Sequence, residues 1–225
     1  MLETVVKYEQ VKKILKSKFG VLDEVLLYEL FSESKCFSIL EGTSLAIKGN
    51  ANEGLTFLLE GILTIELSNK GKTHIAHFIH IGEVFYANEC FLNIPNQSSC
   101  KALIQSKILQ IPSSLIKKLC QNNPLFMIQM LTWGCDEKAI FEQHAVNLIG
   151  TSVKLRFINA LKVLAIKFKD QSNYIPIQPD LIGNFILASK SSLLRCISEL
   201  EQKNIIRSDK NGIHIIQGKY FREVL

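Results

Sequence analysis

Ser189, Lys190, Ser191, Ser192 and Arg195 place three hydroxyls and two cations within seven consecutive residues. Short hydroxyls and long cationic side chains are the groups that hydrogen-bond phosphate oxygens and base edges. No nucleophile–base pair or carboxylate pair stands in an interpretable motif, so no enzymatic activity is expected. His74, His77 and His80 invite a metal or haem reading. On a strand, 74 and 80 share one face and 77 points to the other, so three ligands cannot converge from that strand alone. His77, between Ile75 and Ile79, reads as a core histidine, and His144, on the long helix, as interfacial packing. Trp133 and Tyr86 read as core aromatics that could also line a pocket. Six cysteines, at 36, 90, 100, 120, 135 and 196, show no C-x-x-C and no cluster. Neither a zinc nor an iron–sulfur framework is expected, and no metal or cofactor is called for.

The hydroxyl–cation group needs a helix to present it. Pro179 opens a helix running to Ile186, Leu187-Ala188 makes a short turn, and Ser189 caps a second helix over Lys190–Gln202. Leu193, Leu194, Ile197 and Leu200 are assigned to its inward face. Lys190, Ser191, Ser192, Arg195, Ser198 and Glu199 are assigned outward. Two helices joined by a few residues, the second polar and basic near its start, form a helix-turn-helix with a recognition helix. A hairpin follows, with Ile205–Arg207 pairing with Ile213–Ile216 across Ser208–Gly212, and Lys210 at its tip. A further helix, Val153–Phe168, carries Lys154 and Arg156 in its first turn. Cations there oppose the helix dipole and suit an external anion.

Charge is partitioned in the same direction. The 225-residue chain carries a formal +5. Residues 151–225 hold twelve Lys/Arg against six Asp/Glu, an excess of +6, leaving −1 for residues 1–150. Such asymmetry points the basic part toward nucleic acid or an acidic surface, although a solvated basic domain remains open on charge alone. The composition, 47% hydrophobic and 21% charged, excludes a disordered chain. No apolar run reaches membrane-spanning length and no secretory signal is visible, so a cytoplasmic protein with free thiols is expected.

Residues 5–32 read as helical, broken at Gly20. From about 36 to 112 the apolar period shifts to two between glycine and asparagine turns. Strands are expected at 55–59, 62–67 and 73–81, with a short hairpin loop at Asn69-Lys70-Gly71. Ser113–Gln121 is a short helix. Asn123-Pro124 then starts a long one, 125–149, which packs on its own core or pairs with a second copy. Gly150-Thr151-Ser152 ends it. The organisation read is residues 1–123, an antiparallel barrel or sandwich with N-terminal helices; 124–150, a long helix; and 151–225, a winged helix-turn-helix.

These residues resemble the CRP/FNR family of bacterial transcription regulators over about 40–216. The resemblance rests on Ile177–Gly183, Ser189–Arg195 and Leu200–Ile206, and on Gly42, Leu45, Gly49, Phe57, Gly61, Gly82 and Glu83 in the roll. It implies an α+β architecture: an antiparallel β-roll of the cyclic-nucleotide-binding type, a long dimerisation helix and a C-terminal winged helix-turn-helix. It further implies a homodimer seamed by 125–149, a palindromic double-stranded DNA operator, and RNA polymerase as a partner. By position, Arg195 matches the recognition arginine that reads guanine, and Lys190 and Ser191 match residues that vary with operator. Ser189 and Ser192 join this DNA-facing group, with Lys210 at the wing. Arg156 matches a basic residue expected to contact phosphate. The pocket departs from the pattern. Nucleotide-binding members carry a Gly-Glu pair on the ribose and an Arg-Ser pair on the phosphate. Here Tyr86-Ala87 and Gln97-Ser98-Ser99-Cys100 stand in their places. A buried phosphate without a cation is poorly compensated, so cyclic AMP is not expected to bind, as in the PrfA-like branch of the family. A sensor of a non-nucleotide or redox signal, and an interaction protein that has lost DNA binding, are the alternatives.

Overall fold

Frequent turns cut residues 35–111 into eight short strands: β2 (Lys35–Ile39), β3 (Ser44–Ala46), β4 (Leu55–Glu60), β5 (Leu63–Asn69), β6 (Lys72–Ile79), β7 (Val84–Phe85), β8 (Ser99–Ala102) and β9 (Ser106–Ile111). The computed structural model describes residues 2–3, 7–168 and 173–223. Among them β1 (Leu2–Glu3) pairs with β2, and all the pairings of the roll are antiparallel. The strands form two sheets, ordered β1-β2-β9-β4-β7 and β3-β8-β5-β6. The β5–β6 hairpin closes through Lys70 (φ 48°) and Gly71 (φ 76°), with Asn69 opposite Lys72. Two consecutive left-handed residues give the mirror-image turn that matches strand twist.

Alternation along β4 and β9 sends side chains into two cores. Leu58 and Ile108 point into the roll with Leu63, Ile65, Ile79, Phe85 and Tyr86. Leu55, Phe57, Leu59, Leu109 and Ile111 point to the helical side. There they meet α1 (Tyr8–Lys18), α2 (Glu24–Ser32), α4 (Ser113–Asn122) and the start of α5 (Pro124–Leu148). Phe19 anchors that layer, its ring 5.6 Å from Phe57 and 5.2 Å from Trp133. Residues 5 and 6 of the expected first helix lie outside the described residues. A helix absent from the sequence reading, α3 (Ala87–Leu92), stands between β7 and β8.

The long helix begins as its sequence requires. Asn123 Oδ1 accepts from the Phe126 N–H at 3.0 Å, and Pro124 takes the first helical position, where no donor is needed. Phe126, Met130 and Trp133, at helical spacing, are buried, whereas Leu125, Ile128, Leu131 and Val146 are exposed. The chain divides into two compact units, residues 1–141 and 142–225, and α5 runs through the division.

The second unit contains α6 (Val153–Phe168), β10 (Tyr174–Ile175), α7 (Pro179–Phe185), α8 (Lys190–Gln202), β11 (Ile206–Ser208), β12 (Ile213–Ile215) and α9 (Tyr220–Glu223). The strands form an antiparallel sheet ordered β10-β12-β11. Phe157, Leu161, Leu164, Ile182, Leu193, Ile197, Leu200 and Ile213 fill the core. One expectation is corrected here. Leu194, read as inward, is 53% exposed, whereas Leu193, Cys196, Ile197 and Leu200 are buried. The buried stripe is centred between 193 and 197, and Leu194 lies about 100° further round the helix.

Candidate nucleic-acid interface and the β-roll pocket

α7 and α8 meet closely because Gly183 has no side chain. A Cβ there would lie 2.8 Å from Leu193 Cδ2. The turn between them ends α7 with paired backbone bonds, Ala188 N–H to Gly183 O at 2.9 Å and Leu187 N–H to Asn184 O at 3.1 Å. Leu187 takes the left-handed position of this motif, at φ 51°, where glycine is usual. From α5, the His144 ring stacks on Phe185 of α7 with centroids 4.2 Å apart.

Ser189 then starts α8. Its Oγ accepts from the Ser192 N–H at 3.3 Å and lies within hydrogen-bonding distance of the Ser191 and Ser192 hydroxyls, at 3.2 and 3.0 Å. Lys190, Ser191, Leu194, Arg195 and Ser198 are exposed along one side, and Ser192 is half-buried. The fold thus brings the predicted group onto one surface and adds Leu194 to it. Lys154 of α6 is already engaged: its Nζ lies 2.6 Å from Glu199 Oε2, and that ammonium holds the Glu199 carboxyl below the usual carboxylate range. Arg156 is half-buried on α6, its Nε shielded with no partner among the described residues.

The hairpin is braced at both ends. Glu201 Oε1 accepts from the Ser208 N–H at 2.8 Å. Asp209 Oδ1 accepts from the N–H groups of Asn211 and Gly212, at 2.7 and 3.0 Å, and from the Tyr174 hydroxyl at 3.2 Å. The Asn211 and Gly212 donors hold the Asp209 carboxyl below its ordinary range. Lys210 is exposed at the tip.

In the first unit, Tyr86 adopts the left-handed conformation (φ 64°) at the position where the resemblance expects glycine. Its ring is buried in the roll and its hydroxyl donates to Ser98 O at 3.2 Å. Cys100 is buried beside it. Neither Gln97 nor any residue to Cys100 brings a cation. A cleft of about 130 Å³, with Thr56, Tyr86, Asn52, Asn96 and Gln110 in its wall, opens nearby. Two of its amides bond one another, Asn52 Nδ2 to Asn96 Oδ1 at 2.9 Å. His77 is buried, 3.6 Å from Glu83, and His80 Nδ1 lies 2.9 Å from the same carboxylate. Among the described residues, no three His, Cys, Asp or Glu side chains are grouped to hold a metal ion. Burial pushes the thiols of Cys36, Cys90, Cys100, Cys120 and Cys196 up, away from the reactive thiolate. No described helix is long and apolar enough to cross a membrane.

Residues 37–123 match the cyclic nucleotide-binding domain family. No curated protein matches the chain in sequence. Among solved structures, FixK2 from Bradyrhizobium japonicum superposes with a TM-score of 0.75 at 14% identity, covering 85% of this chain and 96% of its own. CLP, a c-di-GMP responsive global regulator from Xanthomonas campestris, gives 0.72 at 12% identity, over 86% and 99%. A regulator of the CRP/FNR family from Eubacterium rectale gives 0.69 at 12% identity, over 91% and 95%. The chain therefore has the α+β fold of the CRP/FNR regulators: a cyclic-nucleotide-binding-like β-roll, a long helix and a C-terminal helical part.

Proposed function

We propose that the chain is a sequence-specific DNA-binding transcription regulator of the CRP/FNR type, acting as a homodimer and without cyclic AMP. The observation that carries this is α8: an exposed side made of Lys190, Ser191, Leu194, Arg195 and Ser198, on a helix capped by Ser189 and seated on α7. Arg195 supplies a fork for guanine, and Ser189, Ser192, Arg156 and Lys210 supply phosphate contacts. The +6 of residues 151–225 supports the same reading.

Dimerisation is supported by the exposed Ile128, Leu131 and Val146 of α5, opposite the buried Phe126, Met130 and Trp133. Two copies would set half-sites about 34 Å apart, one turn of DNA, and contact with RNA polymerase belongs to the same reading. Independence from cyclic AMP is supported by the Tyr86 ring inside the roll and by the lack of a cation from 97 to 100. No catalytic role is assigned to it. The test is a gel shift of the full chain on fragments of its own promoter region at two salt concentrations, with and without cyclic AMP. Binding that weakens with salt and ignores the nucleotide is expected. A folded dimer that shifts no fragment overturns the proposal.

A further inference from the structure

One turn beyond Trp133 on α5, Glu137 lies over the start of α3. Gly134 lets the two helices approach, since a Cβ there would be 2.6 Å from Asn88 Oδ1. Glu137 Oε1 accepts from the Tyr86 N–H at 3.4 Å, and the Ala87 N–H also bonds the carboxylate. Its Oε2 is buried with no partner among the described residues. Tyr86-Ala87 is the pair that takes the place of the family's ribose-holding Gly-Glu. The position is therefore filled from within, by the Tyr86 ring on one side and a carboxylate of the long helix on the other.

The groups around this carboxylate conflict. The two backbone N–H groups favour its charge. Burial opposes it most, and the Glu89 carboxylate of α3 opposes it next. Glu89 is itself buried, with Oε1 accepting from the Gln97 N–H at 3.3 Å. The other titratable groups of this region, the Tyr86 phenol and the Cys100 thiol, are both pushed up by burial and are neutral near pH 7. On α5 itself, Asp136 and Lys138 flank Glu137 and are exposed. The balance raises the Glu137 carboxyl to about 7. A buried carboxylate without a cation is costly, and protonation removes that cost.

We propose that Glu137 is a proton-operated latch between α5 and α3: protonated, it holds the long helix on the β-roll, and ionised beside Glu89 it loosens that contact. The signal this domain takes is then a proton, acting on the helix that carries the exposed apolar side. The inference concerns residues 1–141 and does not require DNA binding.

Trp133 is the only tryptophan, is buried, and sits one turn from the latch, so its emission reports the contact directly. The experiment is a fluorescence titration of the full chain across about pH 5.5 to 8.5. Wild type is expected to show a transition centred near the Glu137 value of about 7. Glu137→Gln should abolish it. Glu89→Gln should move it to lower pH by about one unit, because a like charge is removed. Both variants retain all five histidines, so a loss or shift of the transition is specific to the carboxyl replaced. A flat wild-type trace overturns the proposal, as does an unchanged transition in Glu137→Gln. Should that variant fail to fold, an unmoved midpoint in Glu89→Gln overturns it equally.

Discussion

Arg195 and Lys210 are both exposed cations, yet their proposed contacts with DNA differ. A guanidinium fork reading guanine contributes about 1–3 kcal/mol of discrimination between bases, whereas a wing lysine on phosphate contributes to every sequence alike. Arg195→Ala should flatten base preference in a binding-site selection. Lys210→Ala should weaken all sequences about equally and lower the salt slope by about two, one for each chain of the dimer. Identical behaviour of the two variants would refute this division. Glu137 gives a second prediction. A carboxyl that is raised in the folded state binds more protons there than in the unfolded chain. Its contribution to stability is therefore fully present below the ordinary unfolded-chain value of 4.5 and is lost as pH rises through about 7. Glu137→Gln should match wild type near pH 5 and exceed its stability by about 1–2 kcal/mol near pH 8, read by urea denaturation. A third concerns Leu187, whose left-handed backbone costs about 1 kcal/mol or more that glycine does not incur. Leu187→Gly should raise the thermal midpoint, after glycine's own entropy penalty, by the equivalent of about 0.5 kcal/mol. A fall in that midpoint would mean the exposed Leu187 side chain makes a stabilising contact.

At the scale of elements, α5 has a buried side and an exposed side, and the proposed dimer seam uses the second. Phe126, Met130 and Trp133 hold it to the first unit, and Ile128, Leu131 and the exposed Cys135 recur at spacings of three and four on the other side. A parallel two-fold seam brings each central residue against its own copy. Mild oxidation in solution should therefore give a disulfide-linked dimer that Cys135→Ser abolishes, and Leu131→Glu should yield monomers by light scattering. Crosslinking that survives Cys135→Ser would place the seam elsewhere. The elements differed in how plainly the sequence announced them. α8 and the hairpin were legible because their signals are local chemistry: a serine cap with its N–H partner, and an aspartate accepting from Asn211 and Gly212. α3 was not. It has only six residues, and both flanking positions, Tyr86 and Asn93, are left-handed without a side-chain cap bond. Leu194 was misplaced because four apolar residues on one helix looked like a single stripe. Which of them faces the core depends on α7 approaching Leu193 through Gly183, a tertiary contact that periodicity does not carry.

For the molecule as a whole, the modest +5 is a sum that hides its parts, with the excess confined to residues 151–225. That partition was readable without a structure. The internal filling of the roll was only half readable: the missing cation could be seen in Gln97–Cys100, but the Glu137 contact joins positions 51 residues apart. One basic unit per chain, two chains per operator, and an affinity governed by released counterions are expected. The measurement that bears most directly on this is hydroxyl-radical footprinting of the full chain on a DNA selected from random sequence, repeated across a salt series. Two protected segments about 34 Å apart, related by a palindrome, are expected. The affinity should fall by about a thousandfold between about 50 and 200 mM salt, for about six phosphates neutralised. A single protected segment, or protection indifferent to salt, would contradict it.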